Sequence, residues 1–343
     1  MPRGTGAPMR ETYLMNTTPG SIPPALPGAR SHHLKASPET AHWGFFDAAL
    51  KPVLEVASGD RVTIDCVSGN PEDLPAKDAG FTVLADHLEI HARLPKGSGN
   101  HILTGPVHVA GARPGHVLEV RIQAIHLRQD WGWNIFRALM GTLPAEFPYF
   151  DRMHVRLNAD RMTATMPWGQ EIPIHPFFGQ LAVAPRPEYG RQNSKEPREF
   201  GGNIDNKELV AGSTIYLPVW TEGALFSTGD GHAAQGDGEV CGTAIETSLS
   251  GVFDFIVRED LSARLPFAES PTHYITMGLH TDLDDATEQA LSQMVDFIAM
   301  RIGITRAEAY HFASFVVDLH ITQTVNNVKG VHAMIAKSLV AKG

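Results

Sequence analysis

The chain has 343 residues, enough for two or three cooperating units around a large buried core. It is 43% hydrophobic and 19% charged, and its 38 acidic and 28 basic residues give a formal charge of −10. No Lys/Arg cluster stands out and no apolar run approaches the roughly 18 residues of a membrane span, so neither nucleic acid nor a bilayer is an expected partner.

The first 30 residues are rich in Pro, Gly and Thr and lack an apolar h-region, which argues against a secretory signal. Residues 1–30 are expected to form a disordered or loosely docked arm. Two cysteines, Cys66 and Cys241, are too few for a disulfide framework, so a reducing, cytoplasmic setting is the default.

Residues 31–190 read as a β-rich unit. Ser58-Gly59-Asp60 precedes a β-rich run at 61–66, and Pro114-Gly115 precedes another at 117–125. In the second, Val117, Glu119 and Arg121 alternate with Leu118, Val120 and Ile122, the period of a half-buried antiparallel strand. Short strands with Pro/Gly turns recur to about residue 185, which favours a sandwich or barrel-like architecture. His101 lies just before Thr104-Gly105-Pro106, read as a tight turn. Residues 130–150 are aromatic and irregular, as expected of a loop that covers a pocket or a neighbouring subunit.

A Pro-rich polar connector at 185–199 sets a soft boundary before a central segment, 191–260. Residues 214–220 and 225–227 flank Thr221-Glu222-Gly223-Ala224 and read as a hairpin. Residues 261–343 change character to α+β. Ala290, Leu291, Met294, Val295, Phe297, Ile298 and Ile302 fall at helical spacing over 284–302, with Gly303 as the stop. Thr305-Arg306-Ala307-Glu308 is a capping-box pattern opening a second helix, and two strands follow around the 326–330 turn. The expected class is therefore α+β and β-rich: an N-terminal sandwich or barrel-like part with a C-terminal α+β part.

The chemistry concentrates in residues 200–246, where glycines crowd Asn203, Asp205, Asp230, His232, Gln235, Asp237, Glu239 and Glu246. Gly-rich loops on a scaffold are where binding and catalytic groups tend to sit. Asp230 and His232 are two apart and point to one side of an extended segment, which suits a divalent metal with O and N ligands. Asp205 is a third candidate ligand, with His101 or Glu246 as alternatives, and Glu239 is a candidate general base. Asp-Gly pairs also form ordinary turns, and Asp230 with Asp237 offers oxygen donors to calcium, although the EF-hand spacing is absent. Cys241 is conceivable as a nucleophile, but neighbouring carboxylates disfavour its thiolate.

Several stretches together resemble the acetamidase/formamidase family of amide hydrolases: AHWGFFDAALKPVLEVASGDRV, NHILTGPVHVAG, FGGNIDNKEL, YLPVWTEGALFSTGDGHAAQGDGEVCGTAIE and VDLHITQTVNNVKGVHA. The resemblance covers roughly residues 32–340. It implies a β-rich α+β fold, a homo-oligomer (dimer or larger), and cleavage of a short aliphatic amide, formamide or acetamide, to ammonia and carboxylate. It also points to a bound metal, zinc first and calcium as the alternative.

On this reading Asp205, His232 and one of Asp230, His101 or Glu246 hold the ion. Glu239 or Asp230 moves the proton, Asn203 and Gln235 orient the substrate, and Trp131 and Trp133 wall a small pocket. The alternatives are a covalent amidase using Cys241, or a non-catalytic, metal-stabilised protein that binds a small molecule.

Overall fold

The computed structural model describes residues 22–341. Most of the expected N-terminal arm lies outside these residues. Within them, the carbonyls of Pro23 and Pro24 accept hydrogen bonds from the Arg61 guanidinium at 2.6 and 3.5 Å.

The fold is β-rich α+β, as expected, and two sheets carry it. A nine-stranded sheet takes strands from residues 31–65, 117–127, 214–218, 249–280 and 317–336, so the N-terminal, central and C-terminal segments share one sheet. A six-stranded sheet is built from Ala41–Trp43, Leu54–Val56, Ile102–Val109, Phe177–Ala182, Gly201–Asn203 and Phe226–His232. The sheets pack on each other through Phe178 and Phe226 from the second against Phe253 and Phe255 from the first, with ring centroids 5.0–5.9 Å apart. The largest buried apolar cluster fills this interface, and burial on this scale is the main driving force for the fold.

The strand Val117–Leu127 is where expected, but its first four residues are buried on both faces. Glu119 is 2% exposed there and pairs with Arg121 and Arg258 at 2.6 and 2.7 Å.

The expected hairpin around residues 221–224 does not form. Thr214–Pro218 belongs to the nine-stranded sheet and Phe226–His232 to the six-stranded one. Between them Ala224 and Leu225 take left-handed φ values of 58° and 56°, which swing the chain from one layer to the other. The residues read as a tight turn, Thr104-Gly105-Pro106, instead lie inside the strand Ile102–Val109. Opposite them the partner strand shifts register between Phe226 and Thr228.

A four-stranded sheet (Trp131–Phe136, Asp151–Asn158, Thr163–Thr165, Glu171–Pro173) docks beside the six-stranded one. The start of the expected aromatic loop is thus a strand, and only residues 137–150 form the connection. The helix Ala85–Arg93 falls where only strands were anticipated. It buries just His87 and Ile90, too little for a clear 3.6-residue signal.

The C-terminal helices follow their caps. Leu283–Ile302 starts at Asp282, whose carboxylate accepts from the amides of Asp284 and Asp285, and stops at Gly303 with φ 75°. Arg306–Val316 opens with the reciprocal Thr305–Glu308 capping box. Their apolar faces cover Val331, Ala333 and Ile335 of the C-terminal hairpin, Val317–Gln323 paired with Lys329–Ala336.

Candidate active site

The site forms where the six-stranded sheet, the small sheet and the tip of the C-terminal hairpin meet. Phe226–His232 is buried at every residue and delivers Asp230 and His232. Next to it runs Phe177–Ala182, with Phe177 opposite His232 and Gln180 opposite Gly229. Gly201–Asn203 pairs with the far edge of that strand, and the chain then turns so that the amides of Ile204 and Asp205 both donate to the Gly179 carbonyl, at 2.9 and 3.2 Å. Asp205 thereby faces His232. Glu246 arrives from a loop whose backbone pairs with Trp133 and His232.

Three of these residues hold left-handed backbone angles: Asp205 at φ 51°, Asp230 at 59° and Glu239 at 45°. Such angles cost of order 1–3 kcal/mol for a non-glycine residue and cluster where function requires a particular side-chain direction.

Two triads of ligand-type atoms result, Asp205–His232–Glu239 and Asp230–His232–Glu246, each with its atoms within 4.8 Å of one another. The shared imidazole is oriented by Gln235. His232 Nδ1 donates to Gln235 Oε1 at 2.9 Å, while Gln235 Nε2 donates to the Asp205 carbonyl at 2.7 Å. His232 Nε2 is left 3.3 Å from Glu246 Oε1 and 3.5 Å from Asp230 Oδ2, buried and without a hydrogen bond. Asp205 Oδ1 is likewise buried and unpartnered, its Oδ2 being taken by Asn203 Nδ2 at 2.5 Å.

The electrostatics reflect this crowding. Burial, reinforced by the surrounding carboxylates, pushes Asp205 and Glu239 well above the usual carboxylate range. Burial likewise raises Glu246, to about 7. Against the same burial, the imidazoles of His101 and His232 hold Asp230 below its ordinary value. Burial alone would depress His232, but Glu246 and Asp230 hold it well above its usual range. Four buried carboxylates facing two imidazoles lack positive charge. A divalent cation fits this set: it would take up the orphaned Nε2 and Oδ1 atoms and neutralise the excess carboxylate.

Of the residues anticipated from sequence, Asp205, Asp230, His232, Glu239 and Glu246 all converge. His101 stands at their edge, Nε2 3.8 Å from Asp230 Oδ2, with its Nδ1 engaged by Ser194 Oγ at 2.9 Å, and it belongs to neither triad. Asn203 has both ends of its amide engaged, by Asp205 and by Gln180, and so braces Asp205. Gln235 orients His232.

Trp133 lines the cavity of about 330 Å³ into which Asp230, Glu239 and Glu246 also open, and its indole N–H has no acceptor. Trp131 does not reach it. Its ring is fully buried and its N–H donates to the Thr82 carbonyl at 2.9 Å. Cys241 opens instead onto a neighbouring cavity of about 640 Å³, which shares Glu239 and Thr243 with the first, and its sulfur accepts from Asn134 Nδ2 at 3.2 Å.

Sequence reasoning missed Gly179 and Gln180. A Cβ on Gly179 would lie 2.6 Å from both Asp205 Oδ1 and Asp230 Oδ2, so only glycine lets the two carboxylates approach. Gln180, fully buried, donates to the Ser194 carbonyl and to Asn203. A Gly-Gln step inside the apolar run 177–184 was the available signal, because glycine within a strand marks a close approach.

The profile of the acetamidase/formamidase family matches residues 31–196 and 189–336, nearly the whole described chain. The chain belongs to this family. Over 264 residues it is 29% identical to a formamidase of Methylophilus methylotrophus, a match that covers 61% of this chain and 61% of that relative. It therefore spans about three-fifths of that curated relative's length.

Among solved structures, an acetamidase from Bacillus halodurans superposes with a TM-score of 0.77 at 27% identity, over 90% of this chain and 98% of that one. An acetamidase/formamidase from Thermoanaerobacter tengcongensis superposes with a TM-score of 0.80 at 23% identity, over 91% and 97%. The second likeness speaks to the family's fold alone. Among the described residues, no helix is long and apolar enough to cross a membrane.

Proposed function

We propose that this chain hydrolyses a short linear amide, formamide or acetamide, to the carboxylate and ammonia. The observation that carries this reading is the pair of buried, unpartnered atoms, His232 Nε2 and Asp205 Oδ1, among four carboxylates of which three open into the 330 Å³ cavity. His232 and Asp205, with Asp230 or Glu246, would hold a divalent cation. Zinc suits the mixed nitrogen and oxygen set best, and calcium is the alternative. When bound, such an ion supplies carbonyl polarisation and a lower pKa for water.

The chain's own groups account for the remaining work. Trp133 offers its free indole N–H to the amide oxygen, where negative charge develops as the water oxygen bonds to the carbonyl carbon. Glu239 takes the proton that water gives up and returns it to nitrogen as the C–N bond breaks, releasing ammonia. Its carboxyl is raised by burial and by Asp205 first, so neutralising those neighbours brings it back toward the range where it exchanges protons near neutral pH. Gln235 holds the His232 ring, and Asn203 holds Asp205.

This reading keeps the cytoplasmic setting expected from two free cysteines, and a homo-oligomer. The connection after Trp131–Phe136 exposes Leu139, Leu143, Phe147, Tyr149 and Phe150, an apolar patch suited to a second copy. Light scattering on the purified protein tests that part.

The decisive experiment is ammonia release from formamide, acetamide and propionamide before and after chelation, with zinc added back. Activity lost on chelation and restored by zinc supports the proposal. Full turnover by a preparation shown by elemental analysis to be metal-free overturns the metal's role. Thermal stabilisation by metal without turnover of any amide favours the non-catalytic reading.

A further inference from the structure

A second group of ligating side chains lies outside the amide site, on the far side of the loop that carries Glu239. His320 and His332 face each other directly across the C-terminal hairpin, and their rings stack with centroids 4.9 Å apart and planes 6° from parallel. Asp237, two residues before Glu239, meets this pair, with His320 Nδ1 3.1 Å from its Oδ2. One ligand atom from each of the three residues lies within 4.8 Å of the others.

Apolar cores do not need two stacked imidazoles and a carboxylate. His332 is fully buried, its Nδ1 is paired with Thr322 Oγ1 at 2.8 Å, and its Nε2 has no partner. Asp237 Oδ2 is already held by Lys207 Nζ at 2.8 Å, while no hydrogen bond to Oδ1 occurs among the described residues. Two imidazoles and one carboxylate are a usual donor set for a divalent transition ion, and a hydrogen bond to a ligating carboxylate is a usual way to orient it.

We propose that Asp237, His320 and His332 form a structural binding site for a divalent transition cation, separate from the cluster around His232. Bound there, the ion ties the site loop to the C-terminal hairpin. The loop is already clamped beside it: the Gly238 amide donates to the Thr322 carbonyl at 3.2 Å, and the Thr324 amide to the Gly238 carbonyl at 3.0 Å. A staple at Asp237 would hold Glu239 at the cavity wall. That last consequence rests on the amide-hydrolysis reading, whereas the binding site itself does not.

Cobalt(II) tests this with a readout independent of turnover. The full chain is stripped with chelator, reloaded with cobalt, and measured for metal content and visible absorption, alongside the variants Asp237→Asn and His320→Ala. Both replaced side chains are partly exposed, so the fold is expected to survive. The wild type is expected to hold about one more equivalent than either variant, and both variants to lose the absorption band of that equivalent.

In a Asp205→Asn background, where the amide site is weakened, the Asp237-dependent equivalent should persist. Equal cobalt content and equal spectra in the wild type and both variants overturn the second site. Loss of all cobalt on Asp205→Asn alone also overturns it. Failure of the amidase reading would appear only in ammonia release.

Discussion

Replacing Gly179 by alanine probes the central geometry most directly. No left-handed angle is needed at this residue, so alanine suits its backbone and any effect comes from the added methyl group alone. That methyl carbon would lie 2.6 Å from Asp205 Oδ1, 2.6 Å from Asp230 Oδ2 and 2.9 Å from His232 Cε1. Ordinary contact begins near 3.4 Å, so both carboxylates must withdraw by about 0.8 Å from where they converge. They have little room to do so, because Asn203 holds Asp205 and the surrounding strand is fully buried.

Overpacking of this kind costs about 1–3 kcal/mol of stability, and misplacing reacting groups by about 1 Å costs of order 10²-fold in rate. On the proposed metal-assisted reading, Gly179→Ala is therefore expected to fold, to melt a few degrees lower, to bind far less zinc, and to release ammonia from acetamide at about 1% of the wild-type rate. Gly236→Ala is the control. It lies in the Gly-rich run 200–246 beside the site, meets nothing within 4 Å, and should leave turnover intact. A Gly179→Ala protein with wild-type turnover and metal content would refute the convergence of Asp205, Asp230 and His232 as the working centre.

Other outcomes follow from neighbouring contacts. Gln235→Leu frees His232 Nδ1 and should weaken metal binding by about 10- to 100-fold in a competition titration, with little change in melting temperature. Trp133→Phe keeps the wall but removes its N–H, so kcat should fall by about 10²-fold while KM changes little. An unchanged kcat would remove Trp133 from the reaction.

Buried His42 titrates at about 4 because burial disfavours its charged form, against 6.5 for the free side chain. Between those pH values the unfolded chain binds the extra proton. Stability is therefore full above pH 6.5 and falls as pH drops toward 4, by about 3 kcal/mol from this residue alone. Denaturant melts of His42→Gln should show a shallower pH slope across that window, and an unaltered slope would count against a neutral buried His42.

Much of this protein was legible locally. Asp282, Gly303 and the Thr305–Glu308 box place the C-terminal helices because caps satisfy backbone groups within a few residues. The alternation over 117–125 located a strand for a similar reason, since side-chain direction repeats every two residues. The density of carboxylates and His232 in one Gly-rich run singled out Asp205, Asp230, His232, Glu239 and Glu246, which the fold brings together.

Tertiary structure decided the rest. Glu246 enters the cluster because its backbone pairs with Trp133, 113 positions earlier in the chain. His101 stays at the margin because it lies just before the strand Ile102–Val109, beside Ser194 and Asp230. Gly179 and Gln180 matter only once Phe177–Ala182 lies against Phe226–His232, and Thr214–Pro218 parts from Phe226–His232 because two residues with left-handed φ carry the chain between layers. Caps and periodicity act over a few residues and can be read from spacing. Register between distant strands is set by packing across the whole sheet interface, which no local pattern specifies.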